Sequence, residues 1–173
     1  IGTPDAISIL GRYPLYCTPA QMILEGGTAT VLCTGDMVYS WDESASFGTL
    51  ALESQVVVLD ISDPVHITPI ATPARSLPGR ASRMHQVGDT LYVVSFEQGT
   101  SCEGVDIPCE GRPARVWVTS LDLANPAGIS TVDQVFYEYV PPSYDPLNTP
   151  VVHMNDQRIY IAQYGLLLPI DNS

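Results

Sequence analysis

The segment Val56–Pro64 reads VVVLDISDP, an aliphatic run closed by an Asp-Pro stop. A second segment, Val116–Pro126, reads VWVTSLDLANP and ends in a matching Asn-Pro stop, whose proline lies 62 residues after Pro64. Val, Leu and Trp favour buried strands, and Asp, Asn and Pro favour the tight turns that end them. Because self-similarity at a fixed period indicates a repeat architecture, the two segments predict a repeated β unit.

The repeat extends outward from these segments without a gap. Each unit contains a first strand, a Gly-rich hairpin turn, an apolar second strand, a long loop, the third strand and a short fourth strand. Gly26-Gly27 and Gly88-Asp89 are the hairpin turns, because tight hairpins favour Gly, Asn and Asp. The aligned pairs include Met22 with Met84, Gly26 with Gly88, Val31 with Val93, and Asp60 with Asp122.

A third copy begins near Thr149, 68 residues after its counterpart, and reaches its Asp stop at Asp171. The predicted organisation is one domain made of repeat units. Its parts are 1–16, the last strand of a preceding blade; 17–78, a blade; 79–147, a blade; and 148–173, an incomplete blade.

An isolated four-stranded sheet leaves two apolar faces uncovered, and stacking such sheets around an axis covers them. The predicted fold is therefore all-β, with four-stranded antiparallel sheets as β-propeller blades in a partial ring of about three blades, whereas propellers have about four to eight. The remaining blades are expected from the parent chain or a partner chain. A β-sandwich is the alternative, but it does not require an Asp-Pro stop at a fixed period.

Two stretches carry a family resemblance: SRMHQVGDTLYVVSF (Ser82–Phe96) and VVVLDISDP. They resemble the secreted bacterial and archaeal β-propeller family distantly related to WD-repeat proteins, and also the propeller repeats marked by an L-V-I-V-D motif. The second full copy departs from the pattern, with DLANP in place of DISDP. The resemblance implies a secreted or cell-envelope propeller and supplies no catalytic residues.

Charge and hydropathy exclude two classes of partner. The chain has 19 acidic residues against 7 Lys plus Arg, a formal net charge of −12. Such a chain repels phosphate backbones, which argues against nucleic acid. No apolar run reaches the ~18 residues of a membrane span. No cofactor is predicted, although the carboxylates leave open an irregular calcium site without a location.

The four cysteines lie outside any C-x-x-C motif. Cys102 and Cys109 bracket a short loop suited to a local disulfide, and Cys17 and Cys33 flank a predicted hairpin as the remaining pair. An even count in this layout favours an oxidising compartment, hence an extracellular or periplasmic location. Free buried thiols are the alternative.

Three groups of side chains are candidate sites. His85 and His153 occupy equivalent first-strand positions, where two imidazoles could share a metal or an anion. The alternative is packing between blades. Arg75, Arg80 and Arg83 form a basic cluster suited to an acidic partner, or else to structural ion pairs. The remaining candidates for partner binding are Tyr137, Tyr139 and Tyr144, in a segment that is otherwise a blade-to-blade crossover.

Asp60 and Asp122 are candidates for general acid/base catalysis, because that chemistry uses paired carboxylates. Their recurrence at each Asp stop instead favours a role in turn formation. No nucleophile elbow, HExxH, P-loop or dinucleotide motif is present. The leading prediction is a non-catalytic extracellular propeller that binds or scaffolds a protein or glycan. The alternatives are a metal-assisted hydrolase or lyase acting at the central channel, and a subunit of an extracellular assembly in which several chains complete the ring.

Overall fold

The computed structural model describes residues 9–35, 37–40, 49–52, 54–70, 74–97, 113–139, 151–163 and 166–171. These residues form antiparallel strands and one short 3-10 turn at Pro126–Gly128, and no α-helix occurs among them. A helix long and apolar enough to cross a membrane is likewise absent from these ranges. The predicted all-β class is confirmed.

The first sheet has the strand order β1-β2-β5-β6, and β7 also pairs with β5. Because β6 and β7 both run antiparallel to β5, they are two halves of one interrupted fourth strand. A separate hairpin, β3–β4, lies within the loop between β2 and β5. The strands are β1 (Thr18–Glu25), β2 (Thr28–Thr34), β3 (Met37–Ser40), β4 (Thr49–Leu52), β5 (Ser54–Asp60), β6 (Thr68–Pro69) and β7 (Arg75–Leu77).

Two further sheets follow in the chain. The middle sheet has the order β11-β10-β9-β8, and the third sheet has the order β12-β13-β14. The middle-sheet strands are β8 (Arg80–Val87), β9 (Thr90–Glu97), β10 (Ala114–Asp122) and β11 (Ser130–Tyr139). The third-sheet strands are β12 (Val151–Met154), β13 (Arg158–Gln163) and β14 (Leu166–Asp171).

The sequence repeat is reproduced in the strand register. Met22 pairs with Val31 in the first sheet, and Met84 pairs with Val93 in the middle sheet. In both sheets the first strand contains a bulge at the same repeat position. The Asp stops are also equivalent: the register pairs are Thr28 with Asp60, Thr90 with Asp122, and Arg158 with Asp171.

The three sheets pack face to face through two apolar clusters. One cluster joins the first sheet, through Leu32 and Val58, to the middle sheet, through Leu91 and Val93. The other joins the opposite face of the middle sheet to the third sheet, and Ile159 is among its buried members. The middle sheet therefore packs against another sheet on each of its faces, whereas a two-sheet sandwich leaves each outer face to solvent.

The backbones of neighbouring sheets come closest at β8. Its Cα atoms lie within 8 Å of those of β1, β2 and β5 on one side and of β12 on the other. In the described ranges, β11 and β14 show no approach of similar extent to a neighbouring sheet. The middle sheet thus approaches both of its neighbours most closely through its own first strand.

The segment 13–17 covers part of the outer face of the first sheet. Tyr13, Leu15 and Cys17 pack against a cluster that contains Val31 and Leu59. Leu15 is the repeat counterpart of Leu77, which packs in the same way against the middle sheet. The described residues 9–16 form no strand, so their assignment to a preceding blade stays a prediction.

Ser54 links the first sheet to the middle sheet through a fully buried hydroxyl. Its Oγ accepts hydrogen bonds from the backbone N–H groups of Ala81 (2.7 Å) and Gly35 (3.1 Å) and donates to the carbonyl of Gly79 (2.8 Å). Gly79 has φ +63°, and an added Cβ would clash with the Phe96 carbonyl oxygen. Glycine therefore allows the chain to turn into β8 beside this hydroxyl.

Ser54→Ala is expected to lower the free energy of unfolding by about 1–3 kcal/mol, because it removes the acceptor of the buried N–H of Ala81 and of the half-buried N–H of Gly35. Urea denaturation at neutral pH measures the change. Ser76→Ala removes an exposed hydroxyl and is the matched control, expected within about 0.5 kcal/mol of the parent. Equal stability of the two variants would contradict the assigned role of Ser54.

The Asp stops are built as turns. Asp60 Oδ1 accepts a hydrogen bond from the N–H of Ser62 (2.9 Å), and Asp122 Oδ1 accepts one from Ala124 (2.8 Å). The Ser62 hydroxyl, 2.6 Å from Asp60, and then its N–H lower the pKa of the Asp60 carboxyl. Hydrogen bonds from the ring of His66 and then the N–H of Val65 lower the pKa of Asp63.

The lowered pKa of Asp63 predicts an acid-dependent loss of stability. A carboxyl whose pKa is lower in the folded state stabilises the fold above its unfolded pKa, near 3.8, and loses that contribution as the pH falls through the folded value. Asp63→Asn should therefore be less stable than the parent at pH 7, and the difference should shrink in acid below the unfolded pKa. Urea denaturation at pH 7 and at a pH below the unfolded pKa of 3.8 measures this difference in stability, with Asp89→Asn as the exposed control. A difference independent of pH would contradict the prediction.

Candidate functional site

The first strands of the three sheets are joined by polar side chains. The amide of Gln21 on β1 binds the backbone of Met84 on β8 at both ends: Nε2 donates to the carbonyl (2.8 Å), and Oε1 accepts from the N–H (2.9 Å). Gln86 Nε2 donates to Glu25 Oε2 (2.7 Å), which adds a second link between the same strands. The Gln21 contacts satisfy the backbone groups of Met84 on the edge strand β8.

His85 and His153 have different surroundings. His85 Nε2 lies 2.9 Å from Asp156 Oδ1, in the turn of the third sheet. His153 lies beside Tyr160, with ring centroids 6.3 Å apart. Since its neighbours Val152 and Met154 pack toward the middle sheet, His153 is on the outer face of the third sheet. The described part of the chain contains no group of three or more potential metal ligands. The predicted metal site stays a prediction.

An open cleft of about 220 Å³ lies between the hairpin turns of the first and middle sheets. Its walls include the carboxylates of Glu25 and Asp89, the amide of Gln86 and the hydroxyls of Thr28 and Thr30. The described residues of this lining are acidic on balance and include no basic side chain, so they do not suit an anion. Its volume is below the ~300 Å³ at which small-molecule sites usually begin.

A second candidate site lies on the outer strands of the middle sheet. We call it the aromatic platform. Alternate residues on neighbouring strands have side chains on the same face, and here the register pairs Trp117 with Phe136 and Arg115 with both Glu138 and Glu97. The platform consists of Glu97, Arg115, Trp117, Phe136 and Glu138.

The side chains of the aromatic platform fix one another. The Trp117 and Phe136 ring centroids are 4.8 Å apart, and the guanidinium carbon of Arg115 lies 4.9 Å from the Phe136 centroid. Arg115 donates through Nε and Nη2 to Glu138 Oε1, at 2.9 and 2.8 Å. Trp117 Nε1 donates to Glu97 Oε2 at 3.1 Å. The result is a partly exposed aromatic and charged surface whose side chains restrain one another.

Sequence reasoning did not identify the aromatic platform. A signal was present, because Arg115 and Trp117 alternate on one predicted strand and Phe136 and Glu138 alternate on the next. Cross-strand pairing of complementary side chains could have been inferred once the repeat fixed the order of strands. The register of the two strands could not be predicted, because the pairing of β10 with β11 shifts by one residue between Ser120 and Leu121.

The predicted arginine cluster is spread over two strands. Arg75 on β7 donates to the hydroxyl of Thr131 on β11, which links the first and middle sheets. Arg80 and Arg83 are exposed on β8. None of the three forms an ion pair with another described residue. Binding of an acidic partner by these residues stays a prediction.

The tyrosine candidates differ in position. Tyr137 lies on β11 and is 43% exposed. It pairs with Val116, so it is on the face of the middle sheet that looks toward the third sheet. Tyr139 is the last residue of β11, and Tyr144 lies outside the described residues.

The Cys17–Cys33 disulfide is formed, with the two Cα atoms 5.6 Å apart, so this predicted pair is confirmed. It links the segment before β1 to the end of β2. Cys33 belongs to the apolar cluster on the outer face of the first sheet, and Cys17 and Leu15 pack against that cluster. Cys102 and Cys109 lie outside the described ranges, and their pairing stays a prediction.

Comparison with known proteins found no family model, no curated protein and no solved structure that matches this chain.

Proposed function

We propose that this protein is a non-catalytic extracellular binding module of the β-propeller type, which holds a protein partner on the aromatic platform. The observation that carries the proposal is the pre-organised Trp117–Phe136 pair with Arg115 fixed beside it by Glu138. Tryptophan and arginine are enriched at protein interfaces and dominate their binding energy.

The stacking of the sheets supports the propeller arrangement. The middle sheet turns one face to the first sheet and the opposite face to the third sheet, so the same stacking step occurs twice. The first strand of the middle sheet, β8, approaches both neighbouring sheets, whereas its outer strand β11 shows no comparable approach in the described ranges, as expected when sheets radiate from an axis. Gln21 and His85 reach across between first strands, where a radial arrangement would bring neighbouring sheets together.

The position of the aromatic platform supports a role as a binding surface carried by a rigid sheet. It lies on paired strands rather than on a loop, and Arg115 pairs with both of its carboxylates, with Glu138 at 2.8 Å and with Glu97 at 3.9 Å. A partner therefore meets side chains whose rotamers are already restricted, which lowers the entropy lost on binding. The Cys17–Cys33 disulfide is in keeping with an extracellular module.

The proposal is tested by surface plasmon resonance with the immobilised protein, against a panel of purified extracellular proteins and a panel of glycans. For a protein partner we expect Phe136→Ala to weaken binding by about tenfold or more, as loss of a binding hot spot does. Val65→Ala, at a residue 58% exposed and outside the aromatic platform, is the matched control and should bind as the parent does.

Two results would count against the proposal. A protein that binds equally well to the parent and to both Phe136→Ala and Trp117→Ala would place its site elsewhere. A glycan that loses affinity in these variants, with no protein doing so, would change the class of partner. Circular dichroism and melting of each variant establish that the sheets remain folded.

A further inference from the structure

We propose that the open cleft between the hairpin turns of the first and middle sheets binds a short-chain amino alcohol. The ammonium group of this ligand lies at the acidic rim of the cleft, and its hydroxyl group binds the hydroxyl of Thr30 inside. No residue of the aromatic platform is among the described lining residues of the cleft. The inference therefore goes beyond the proposed function and does not rest on it.

The observation that carries this inference is the buried hydroxyl of Thr30, which lines the cleft. Thr30 lies on β2 and is 4% exposed, and its hydroxyl has no hydrogen-bond partner in the described part of the chain. Strand alternation places Thr30 on the same face as Leu32, which packs between the first and middle sheets, so its side chain points into the space between them. A buried hydroxyl without a partner costs free energy, and a ligand that hydrogen-bonds to it removes that cost.

The lining of the cleft differs from the equivalent part of the next interface. The repeat places Tyr92 at the position of Thr30 and Val87 at the position of Glu25. Tyr92 packs against the apolar cluster between the middle and third sheets. Between the first and middle sheets, a small hydroxyl side chain and a carboxylate stand where the next interface has an aromatic ring and an aliphatic side chain. This exchange makes the space between the first and middle sheets both larger and more polar.

The rim of the cleft attracts a cation. Glu25 is paired in register with Thr28 at the end of the first hairpin, and Asp89 lies in the hairpin turn of the middle sheet, held by a hydrogen bond from the N–H of Leu123 to its carbonyl (2.7 Å). Both carboxylates are exposed, and neither forms an ion pair with another described residue. The described hydrogen bond to the Glu25 carboxylate comes from the neutral amide of Gln86. The negative charge of the rim is therefore not neutralised by these contacts.

The remaining lining favours an organic cation over a metal ion. Val58, Leu123 and Pro126 line the cleft beside the polar groups. A calcium ion takes about six to eight oxygen ligands, and the described ranges contain no group of three or more potential metal-binding side chains. An alkyl chain instead packs on the apolar side chains while its ammonium group stays at the wet rim, as the side chain of a lysine does at a protein surface.

The spacing of the polar groups sets the length of the ligand. Thr28 is at the hairpin turn, and Thr30 lies two residues farther along β2, about 7 Å deeper at ~3.4 Å per residue. An extended four-carbon amino alcohol spans about 6 Å from nitrogen to oxygen, and a hydrogen bond at each end covers the remainder. Aminobutanol, with its amine and hydroxyl groups at opposite ends, is therefore the probe that matches the cleft.

NMR titrations of the backbone amides with aminobutanol, butylamine and butanol test the proposal. The parent should bind aminobutanol about threefold to tenfold more tightly than butylamine, because aminobutanol alone carries both the charge and the group that hydrogen-bonds to Thr30. It should bind aminobutanol about tenfold or more tightly than butanol, which has no charge for the rim. The shifts should saturate and be centred on the two hairpin turns.

Thr30→Val removes the buried hydroxyl with little change in shape. Aminobutanol should then bind no more tightly than butylamine, whereas urea denaturation should show a stability equal to or above that of the parent, because no protein hydrogen bond is lost. Asp89→Asn, at an exposed turn residue, should weaken the binding of both amines and leave that of butanol unchanged. Thr68→Val, at an exposed residue of β6, is the matched control and should bind all three probes as the parent does.

Equal affinity of the parent for aminobutanol and butylamine would overturn the proposal, as would the absence of saturable shifts at the cleft or a Thr30→Val variant that keeps the preference for aminobutanol. Calcium chloride that shifts the amides of the cleft when no amine does so would replace the amino alcohol by a metal ion. Phe136→Ala should bind aminobutanol as the parent does, so failure of this site and failure of the aromatic platform are seen in different variants.

Discussion

Leu91→Ala is expected to lower the free energy of unfolding by about 2–5 kcal/mol, the range for loss of a fully buried leucine. Leu91 has no exposed surface and lies in the cluster that joins the first sheet to the middle sheet. Truncation removes apolar contacts on both sides of that interface and leaves a cavity between the two sheets. The backbone of each sheet is held by the hydrogen bonds between its own strands. The surroundings therefore have little freedom to close the cavity.

Urea denaturation followed by circular dichroism measures the effect of Leu91→Ala. Leu24→Ala is the matched control, because Leu24 is a strand leucine that is 60% exposed, and it should change stability by about 0.5 kcal/mol or less. Equal effects of the two substitutions would mean that the first and middle sheets do not share a core.

Removal of the Cys17–Cys33 disulfide by Cys17→Ala with Cys33→Ala is expected to lower the free energy of unfolding by about 3 kcal/mol, the value for a closed loop of roughly 15 residues. The two cysteines are separated by 16 positions in the sequence. The bond restricts the unfolded chain, and it also holds the segment containing Tyr13 and Leu15 on the first sheet.

Urea denaturation of the double variant and the parent, each with and without reductant, measures the contribution of this disulfide. Reductant should destabilise the parent by the larger amount, because the double variant no longer contains this bond. A double variant as stable as the parent would show that the bond contributes nothing to the fold.

The strand repeat could be predicted because its signals are local. Gly26 and Gly88 have positive φ angles in their hairpin turns, as the Gly-rich pattern indicated. The Asp60 and Asp122 side chains accept the N–H two residues on, as the turn interpretation of the stops predicted. Each of these features depends on residues adjacent in the sequence, so composition and spacing suffice.

Features that depend on packing across sheets could not be predicted in this way. The hairpin β3–β4 lies where a long loop was expected. In the described ranges its two strands, Met37–Ser40 and Thr49–Leu52, pair with each other and join none of the three larger sheets. The buried hub at Ser54 has no counterpart in the second repeat, where Val116 occupies its position. His85 binds Asp156 through a contact between sheets that no spacing along the chain indicates.

The strand order determines how the number of sheets in such a chain can change. Each sheet is made from one continuous stretch of chain, and the contacts across its faces repeat at the next sheet. Duplication of a whole stretch from one Asp stop to the next would therefore add a sheet without altering any existing pairing. Insertions that are not a multiple of the unit would instead be confined to the loops between the second and third strands.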